Sequence, residues 1–493
     1  MEGESEADGT RRDSRMIQPP RFDTVVTIFL ALAGWHAGLA RISDNSFFCH
    51  LATGRWILAH GIPRTDPFSF TAAGTRWVAE SWLADLLYGV LDRRFGPAGI
   101  LTMNAAVGAA IAALWYRLAL RLSRDRVRAL LTTLLSLSAS FTMWSPRPLL
   151  FGILALLILV WIVETPDSIA GRTPILTIPP LIWLWANIHG SFVLGFIYVG
   201  LHGLGRLLDR GGSLPNRSRQ LIAAMVAALA LCLINPYGGA ILIAPFRLLG
   251  HHYALSNVTE WRPPVLLSLQ GAMYTLWVLV FVVAAVIGFG NIKLRGIIVG
   301  VPFLLIAFWA ERNIGIATIV TFPIAARALR TEHERPQMRP AFNWIAAAFA
   351  LALGGWWTMQ AWAHPALDFR EYPVAAMNAV ESQGLLGQRL LTTDSWGDYI
   401  ILRYGVRQRV FMDDRYDVYP ADVTRDLASL LSGHGDWLRI VQQYGIDLVV
   451  WPSRDPALRI LESAQGFQQR YEDQQAVVLV RAHLAGANGA KSQ

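Results

Sequence analysis

The residues best placed to do chemistry lie between two apolar stretches: Asp44, His50, Arg55, Asp66 and Glu80, within DNSFFCHLATGRWILAHGIPRTDPFSFTAAGTRWVAESWLADLL. Asp44 follows the first apolar stretch directly. A carboxylate at that boundary can meet a membrane-embedded donor and take the proton of an acceptor hydroxyl as general base. The alternative is an interfacial cap that closes the apolar segment. The other four residues are candidates for substrate contact, because a connection running from 44 to 96 is far longer than chain crossing requires, and long structured loops usually bind or react.

Further polar groups interrupt apolar runs downstream. Arg147 stands in Trp144-Ser-Pro-Arg147-Pro148, His189 in Asn187-Ile-His189-Gly190, Glu260 in Glu260-Trp261-Arg262, and Arg312 in Glu311-Arg312-Asn313. Polar groups at membrane depth are costly and tend to mark a site or pathway. An arginine can bind a phosphate in two-pronged fashion and neutralise it as it leaves; a snorkelling side chain is the plainer account of Arg147. For Arg312 the partner is Glu311 or a phosphate. His189 reads as a donor to sugar or phosphate, or as a histidine satisfied between helices. His50, His251 and His252 with Glu80 or Glu260 lack any zinc-ligand spacing. A divalent cation, Mg or Mn, shared by Asp44 and another outer carboxylate is the open cofactor alternative.

Late in the chain, Trp396, Asp398 and Tyr399 follow an expected strand, where α/β domains place ligand loops. Asp413 and Arg415, in Asp413-Asp414-Arg415-Tyr416-Asp417, end another. These are candidates for acceptor or carbohydrate contact; a salt-bridged loop packing the tail onto the rest is the alternative. Trp56, Trp77, Trp82, Trp144 and Trp261 read as interfacial belt residues, with one or two available to stack on a sugar.

The elements that must position these groups follow from composition. The chain is 493 residues long, 54% hydrophobic and 16% charged, with a mean hydropathy of +0.37, too apolar for an ordinary soluble protein. Its net charge of +8 lies in short arginine clusters between apolar runs, not along one face interleaved with aromatics, so nucleic acid is not an expected partner. Taking each cluster as cytoplasmic gives about eleven transmembrane helices, near 24–42, 97–116, 129–144, 149–164, 174–188, 191–207, 220–234, 270–290, 296–310, 314–328 and 341–359. The first is expected to be a retained span, not a removed signal peptide. Residues 82–95 are too short and too charged to span, and read as an amphipathic helix on the outer face. Nearly every polar motif that interrupts an apolar run then falls outside.

The expected architecture is a polytopic α-helical membrane protein with a C-terminal extracytoplasmic α/β domain. It comprises a cytoplasmic tail (1–23), a transmembrane domain (24–360) with its large first outer loop (44–96), the α/β domain (370–483) and a disordered end (484–493). In that domain 372–383 reads as a helix, and 389–393, 409–413, 447–451 and 475–480 as strands. With only Cys49 and Cys232, no disulfide framework is expected. The preference for arginine over lysine, which occurs only at 293 and 491, points to a GC-rich bacterial genome.

The acidic residue after the first span, the long outer loop and the outer α/β tail resemble the GT-C superfamily of integral-membrane glycosyltransferases, which includes protein O-mannosyltransferases, aminoarabinose transferases and oligosaccharyltransferases. A closer resemblance is to a group of largely uncharacterised bacterial membrane proteins sharing HLATGRWIL, GIPRTDPFSF, WVAESWLADLL, WANIHGSFVLG, NPYG, TEWRPP and ERN, over most of the chain from Asp44 to Arg481. The resemblance implies a multi-pass enzyme of the bacterial inner membrane. It would move a sugar, with inversion, from a polyprenyl-phosphate or diphosphate carrier to a glycan, lipid or protein acceptor in the cell envelope. Asp44 matches the acidic first-loop position and would be the base. Where many relatives place a second carboxylate, often as Asp-Pro, this chain has Arg147-Pro148. Ser395-Trp396-Gly397-Asp398-Tyr399 resembles the Trp-Trp-Asp-Tyr-Gly motif of oligosaccharyltransferases, with Gly397 and Ile400 as departures. A transporter or flippase of lipid-linked saccharide, and a non-catalytic scaffold for envelope assembly, remain as alternatives.

Overall fold

The computed structural model describes residues 18–141, 144–250, 259–287, 293–331, 338–433, 437–455, 457–458 and 466–482. His251, His252, the N-terminal segment through residue 17 and the expected disordered end 484–493 lie outside the described residues.

The chain is mostly helical, and a helix occupies each apolar range expected to span. In order these are α1 (Phe22–Gly38), α2 (Asn45–His60), α3 (Trp82–Phe95), α4 (Pro97–Ser123), α5 (Arg126–Ser140), α6 (Leu149–Glu164), the short α7 (Ile169–Arg172), α8 (Pro174–Ile188), α9 (Val193–Asp209) and α10 (Asn216–Leu231). They continue with α11 (Ala240–Gly250), α12 (Leu269–Ile287), α13 (Leu294–Trp309), α14 (Ile314–Ala328) and α15 (Phe342–Ala363). Among the described residues, three helices are long and apolar enough to cross a membrane: Pro97–Ser123, Gly190–Asp209 and Leu269–Ile287. Phe22–Gly38, Leu149–Glu164, Pro174–Ile188 and Leu294–Trp309 are shorter apolar helices.

Local chemistry sets the ends. α4 opens on Pro97, whose missing N–H is no loss in a first turn. The Asp125 side chain caps α5 by accepting from the Arg128 backbone N–H at 2.9 Å. The α6 sequence LLFGILALLILVWIVE is apolar on every face, the pattern of a helix surrounded by others. It packs in a core with Trp115, Trp185, Trp277 and Phe322.

The connection after Asp44 folds into a helical hairpin. Of its two helices, α3 is the one expected at 82–95, and α2 is additional to that expectation. The pair packs backbone to backbone, since a Cβ on Gly54 would strike the Asp85 carbonyl and one on Gly89 would lie 2.6 Å from the Gly54 carbonyl oxygen.

The tail contains α16 (Val374–Ser382), α17 (Asp394–Tyr404), α18 (Ala421–Leu431) and α19 (Trp437–Tyr444) against a small sheet. Its strands are β1 (Leu390–Leu391), β2 (Leu448–Pro452), β3 (Phe467–Glu472) and β4 (Ala476–Arg481), in the order β1-β2-β4-β3. β1 runs parallel to β2, and the other pairs are antiparallel. The strand expected at 409–413 reduces to isolated bridges, in which Val410 pairs with both Leu390 and Ser69. One apolar core runs from the hairpin, through Phe47, Phe48 and Tyr88, into the tail through Tyr372, Tyr399, Ile400 and Trp451. Hairpin and tail are therefore a single packed body.

Candidate functional site

Asp44 sits at the N-cap of α2, yet its side chain makes no capping bond. Its carboxylate turns instead to the loop before α6. Oδ2 accepts from the Ser145 hydroxyl and from Arg147 Nε at 2.7 Å, while Oδ1 is buried without a partner. The other end of Arg147 binds the Glu260 carboxylate. The Tyr88 hydroxyl holds this loop to α3 by donating to the Pro146 carbonyl at 2.8 Å. Burial pulls the Arg147 guanidinium down, but the two carboxylates outweigh it and raise its pKa above the ordinary value. Arg147 is thus an ion-paired bridge, not a snorkelling side chain.

That bridge bears on the cation alternative. A hard divalent ion needs carboxylate oxygens converging on it, and here a guanidinium lies between Asp44 and Glu260. The pair does not fit Mg or Mn. Cys49, Asp398 and Asp413 also bring ligand atoms within 4.8 Å of one another. Burial, however, raises the Cys49 pKa well above its ordinary value, keeping the thiol protonated, and both carboxylates are already engaged within the protein. This group does not fit a cation either.

In front of Arg147 opens a cavity of about 170 Å³, with Glu80, His189, Glu260, Arg312 and Asp414 also in its wall. Asp44 is not among the residues that line it. Arg312 stands over the Trp261 ring, 4.3 Å from its centroid, and among the described residues forms no ion pair within 4.0 Å. Burial lowers its pKa, with Glu260, Asp414 and Glu80 opposing. The Arg312–Glu311 pairing considered from sequence is not formed.

His189 ends α8 in an extended conformation, and its Nδ1 lies 2.8 Å from the Ser191 hydroxyl. Burial first, then Arg312, pushes its pKa down to about 3, so the ring is neutral. A Cβ on Gly190 would lie 2.6 Å from Glu80 Oε2; the close approach that glycine allows is used by the protein's own carboxylate. Glu80 is pushed up to about 7, by burial first and then by Asp417, with Arg312 and His50 opposing. His50 also lines the cavity, its Nδ1 2.7 Å from Asp85 Oδ1.

The tail contributes differently from expectation. Asp413 is fully buried and grips Arg415, accepting from Nε at 2.9 Å and Nη2 at 2.6 Å. The same Nη2 lies 2.7 Å from Asp66 Oδ1, and Arg415 is stacked on Trp77 and Phe68. Asp66 further accepts from the backbone N–H groups of Phe68 and Ser69. Asp66, Asp413 and Arg415 therefore form a buried clamp between hairpin and tail, the salt-bridged alternative considered for this loop.

Asp398, also fully buried, accepts from Asn45 Nδ2 at 2.9 Å and from the Asp414 backbone N–H at 3.2 Å. Trp396 donates to the Glu371 carbonyl, and Tyr399 accepts from Arg403 and packs on Phe369 and Tyr372. Neither Trp396 nor Tyr399 reaches the cavity. Arg55 pairs with Asp92 at 2.8 Å and also lies outside it. The structure thus gathers Arg147, Glu260, Arg312, His189, Glu80, His50 and also Arg415 around one space. It also adds Asp414, which lay in a charged run where sequence gave no means of choosing among neighbours.

No family model matches the chain, and no curated protein sequence does. Solved structures do. The archaeal oligosaccharyltransferase AglB from Archaeoglobus fulgidus, in complex with an inhibitory peptide and a dolichol-phosphate, aligns with a TM-score of 0.58 at 10% identity over 87% of this chain and 69% of its own. ArnT from Cupriavidus metallidurans in the apo state aligns at 0.53 and 14% identity, over 94% of this chain and 98% of its own. The same protein bound to undecaprenyl phosphate gives 0.50 at 13% identity, over 94% and 99%.

Proposed function

We propose that this chain, whose fold is that of the GT-C superfamily of membrane glycosyltransferases, transfers a sugar with inversion from a polyprenyl-phosphate or diphosphate carrier to an extracytoplasmic envelope acceptor. The observation that carries this reading is Arg312: a half-buried guanidinium stacked on Trp261, without a carboxylate partner within 4.0 Å among the described residues, beside Arg147 in one cavity. A half-buried cation without an ion-pair partner calls for an anion, and a phosphate offers the oxygens that two arginines bind. The AglB structure contains a dolichol-phosphate and one ArnT structure undecaprenyl phosphate, which supports a lipid phosphate as that anion.

In this reading Arg147 and Arg312 hold the carrier phosphate and stabilise its growing charge as the glycosidic bond breaks. Asp44, through its bond to Arg147 Nε, aims that guanidinium. Neutral His189 donates a hydrogen bond, and Glu80 and Glu260 orient the arginines or the sugar. The membrane part would lie in a bacterial inner membrane with about eleven spans, hairpin and tail outside. A transporter would need polar groups through the depth of the helices; this cavity sits at one end of them, which favours transfer.

The test uses the purified full chain in lipid, incubated with radiolabelled polyprenyl-phosphate sugars and a panel of envelope acceptors. Transfer by the wild type, reduced about 10²–10³-fold in Arg147→Gln and Arg312→Gln, is the expected result. Carrier movement across the bilayer without transfer would overturn the reading, as would rates indifferent to both substitutions.

A further inference from the structure

The GT-C-type reaction needs a group to receive the acceptor's proton, and the geometry does not leave that task to Asp44. That carboxylate does not line the cavity, and its Oδ2 is committed to Ser145 and Arg147. Protonating it would strip Arg147 of one counter-charge at the moment when the guanidinium must face a phosphate. Glu260 is bound to the same arginine. Glu80 is pressed against Gly190, under Arg312 and His50.

Resting on the transferase reading, we propose that Asp414, delivered by the C-terminal domain, is the proton acceptor of this site, and that Asp398 is the positioning residue that sets it against Arg147. Asp414 lines the cavity and feels the charges of both Arg147 and Arg312. Its backbone is pinned by the Asp398 carboxylate, whose other oxygen holds Asn45, the residue next to Asp44. One buried side chain thus fixes the spacing between Asp414 and the Asp44–Arg147 pair across the hairpin–tail boundary. The chain that lacks a carboxylate before α6 supplies one from its tail.

The groups facing Asp414 come from every side. Ser46 and Asp44 belong to the hairpin region, Arg147 and Arg312 to the outer ends of the helices, and Asp394 and Asp398 to the tail itself. Burial is the largest influence and pushes Asp414 up to about 7, against the hydrogen bond from Ser46 and the charge of Arg147. A base works best when its pKa is near the working pH. In the step itself the acceptor oxygen bonds to the anomeric carbon as the carbon–phosphate oxygen bond breaks. The electron pair stays on the phosphate between the arginines, the hydroxyl proton passes to Asp414, and water later removes it.

The experiment separates binding from transfer. With undecaprenyl phosphate as probe, native mass spectrometry or fluorescence titration on the full chain follows affinity between pH 5.5 and 8.5 for the wild type, Asp414→Asn, Asp398→Asn and Asp44→Asn. Transfer is then read with the donor and acceptor found above. Expected for Asp414→Asn is binding at least as tight as the wild type, a flatter pH profile because a negative charge near the phosphate is gone, and transfer down by about 10²–10⁴. Asp44→Asn should instead weaken binding, and Asp398→Asn should lower transfer with a shifted pH optimum. Asp414→Asn transferring at the wild-type rate, or keeping the wild-type pH profile of binding, overturns the proposal while leaving the transferase reading intact. Absence of undecaprenyl phosphate binding and of transfer in the wild type overturns both.

Discussion

Asp44 and Asp414 show how burial and partners divide the labour between two carboxylates of one site. The first has a guanidinium at 2.7 Å; the second is held at the cavity with burial pushing it up to about 7. This difference has a signature in stability. A carboxylate whose folded pKa exceeds its unfolded value binds its proton more tightly in the native state, so stability is greatest below the unfolded pKa and falls as pH rises toward the folded one. For Asp414 the window runs from about 4 to about 7, and thermal melts of Asp414→Asn should lose part of the wild-type decline across it. Identical pH dependence in the two proteins would mean that Asp414 ionises as freely folded as unfolded. Sequence made Arg147, Glu260, Arg312, His189 and Glu80 visible, because a charge inside an apolar chain stands out. It could not sort Asp413 from Asp414, since one turns to Arg415 and the other to the cavity only once the tail meets the hairpin.

Among the elements, the helices were legible because a long apolar run in a membrane protein has few other forms. The tail was less so. The polar run Phe467-Gln-Gln-Arg-Tyr-Glu472 shows little alternation, yet it is β3, an edge strand with a register shift and most of its side chains exposed. Conversely, the buried run Val410-Phe-Met412 looks like a strand and makes only single bridges, because it passes from the sheet to the hairpin residue Ser69. Gly397, which departs from the tryptophan of the resembling motif, has a local reason. A Cβ there would run into the Met412 carbonyl oxygen, so α17 can lie on this segment only without a side chain. Gly397→Ala should destabilise the fold by about 1–3 kcal/mol as an overpacked substitution, read as a lowered denaturation midpoint; an unchanged midpoint would show that the contact yields freely.

At the scale of the molecule, the hairpin after Asp44 and the C-terminal tail share one core and one buried ion cluster, so neither is an appendage of the other. Arg415→Gln leaves Asp66 and Asp413 facing each other without their cation, and removing one partner of a buried pair costs about 3–5 kcal/mol. Hydrogen exchange should then rise together in α2, α3 and the tail sheet, while α6 and α14 stay protected; loosening of the tail alone would argue against a shared body. Orientation is open to direct labelling. Cysteines introduced at the exposed Ser382 and Ser213 should react with an impermeant maleimide from outside and only after lysis, respectively, and the reverse order would invert the topology. The Asn45–Asp398 contact joins residues 353 apart in sequence, and this has a consequence for biogenesis. While the later helices are still being made, the hairpin stands without Arg415 beside Asp66, and the cavity lacks the residues that the tail supplies. Only the last part of the chain closes it. A chain cut short before the tail therefore lacks the Asp414 and Arg415 side of the cavity.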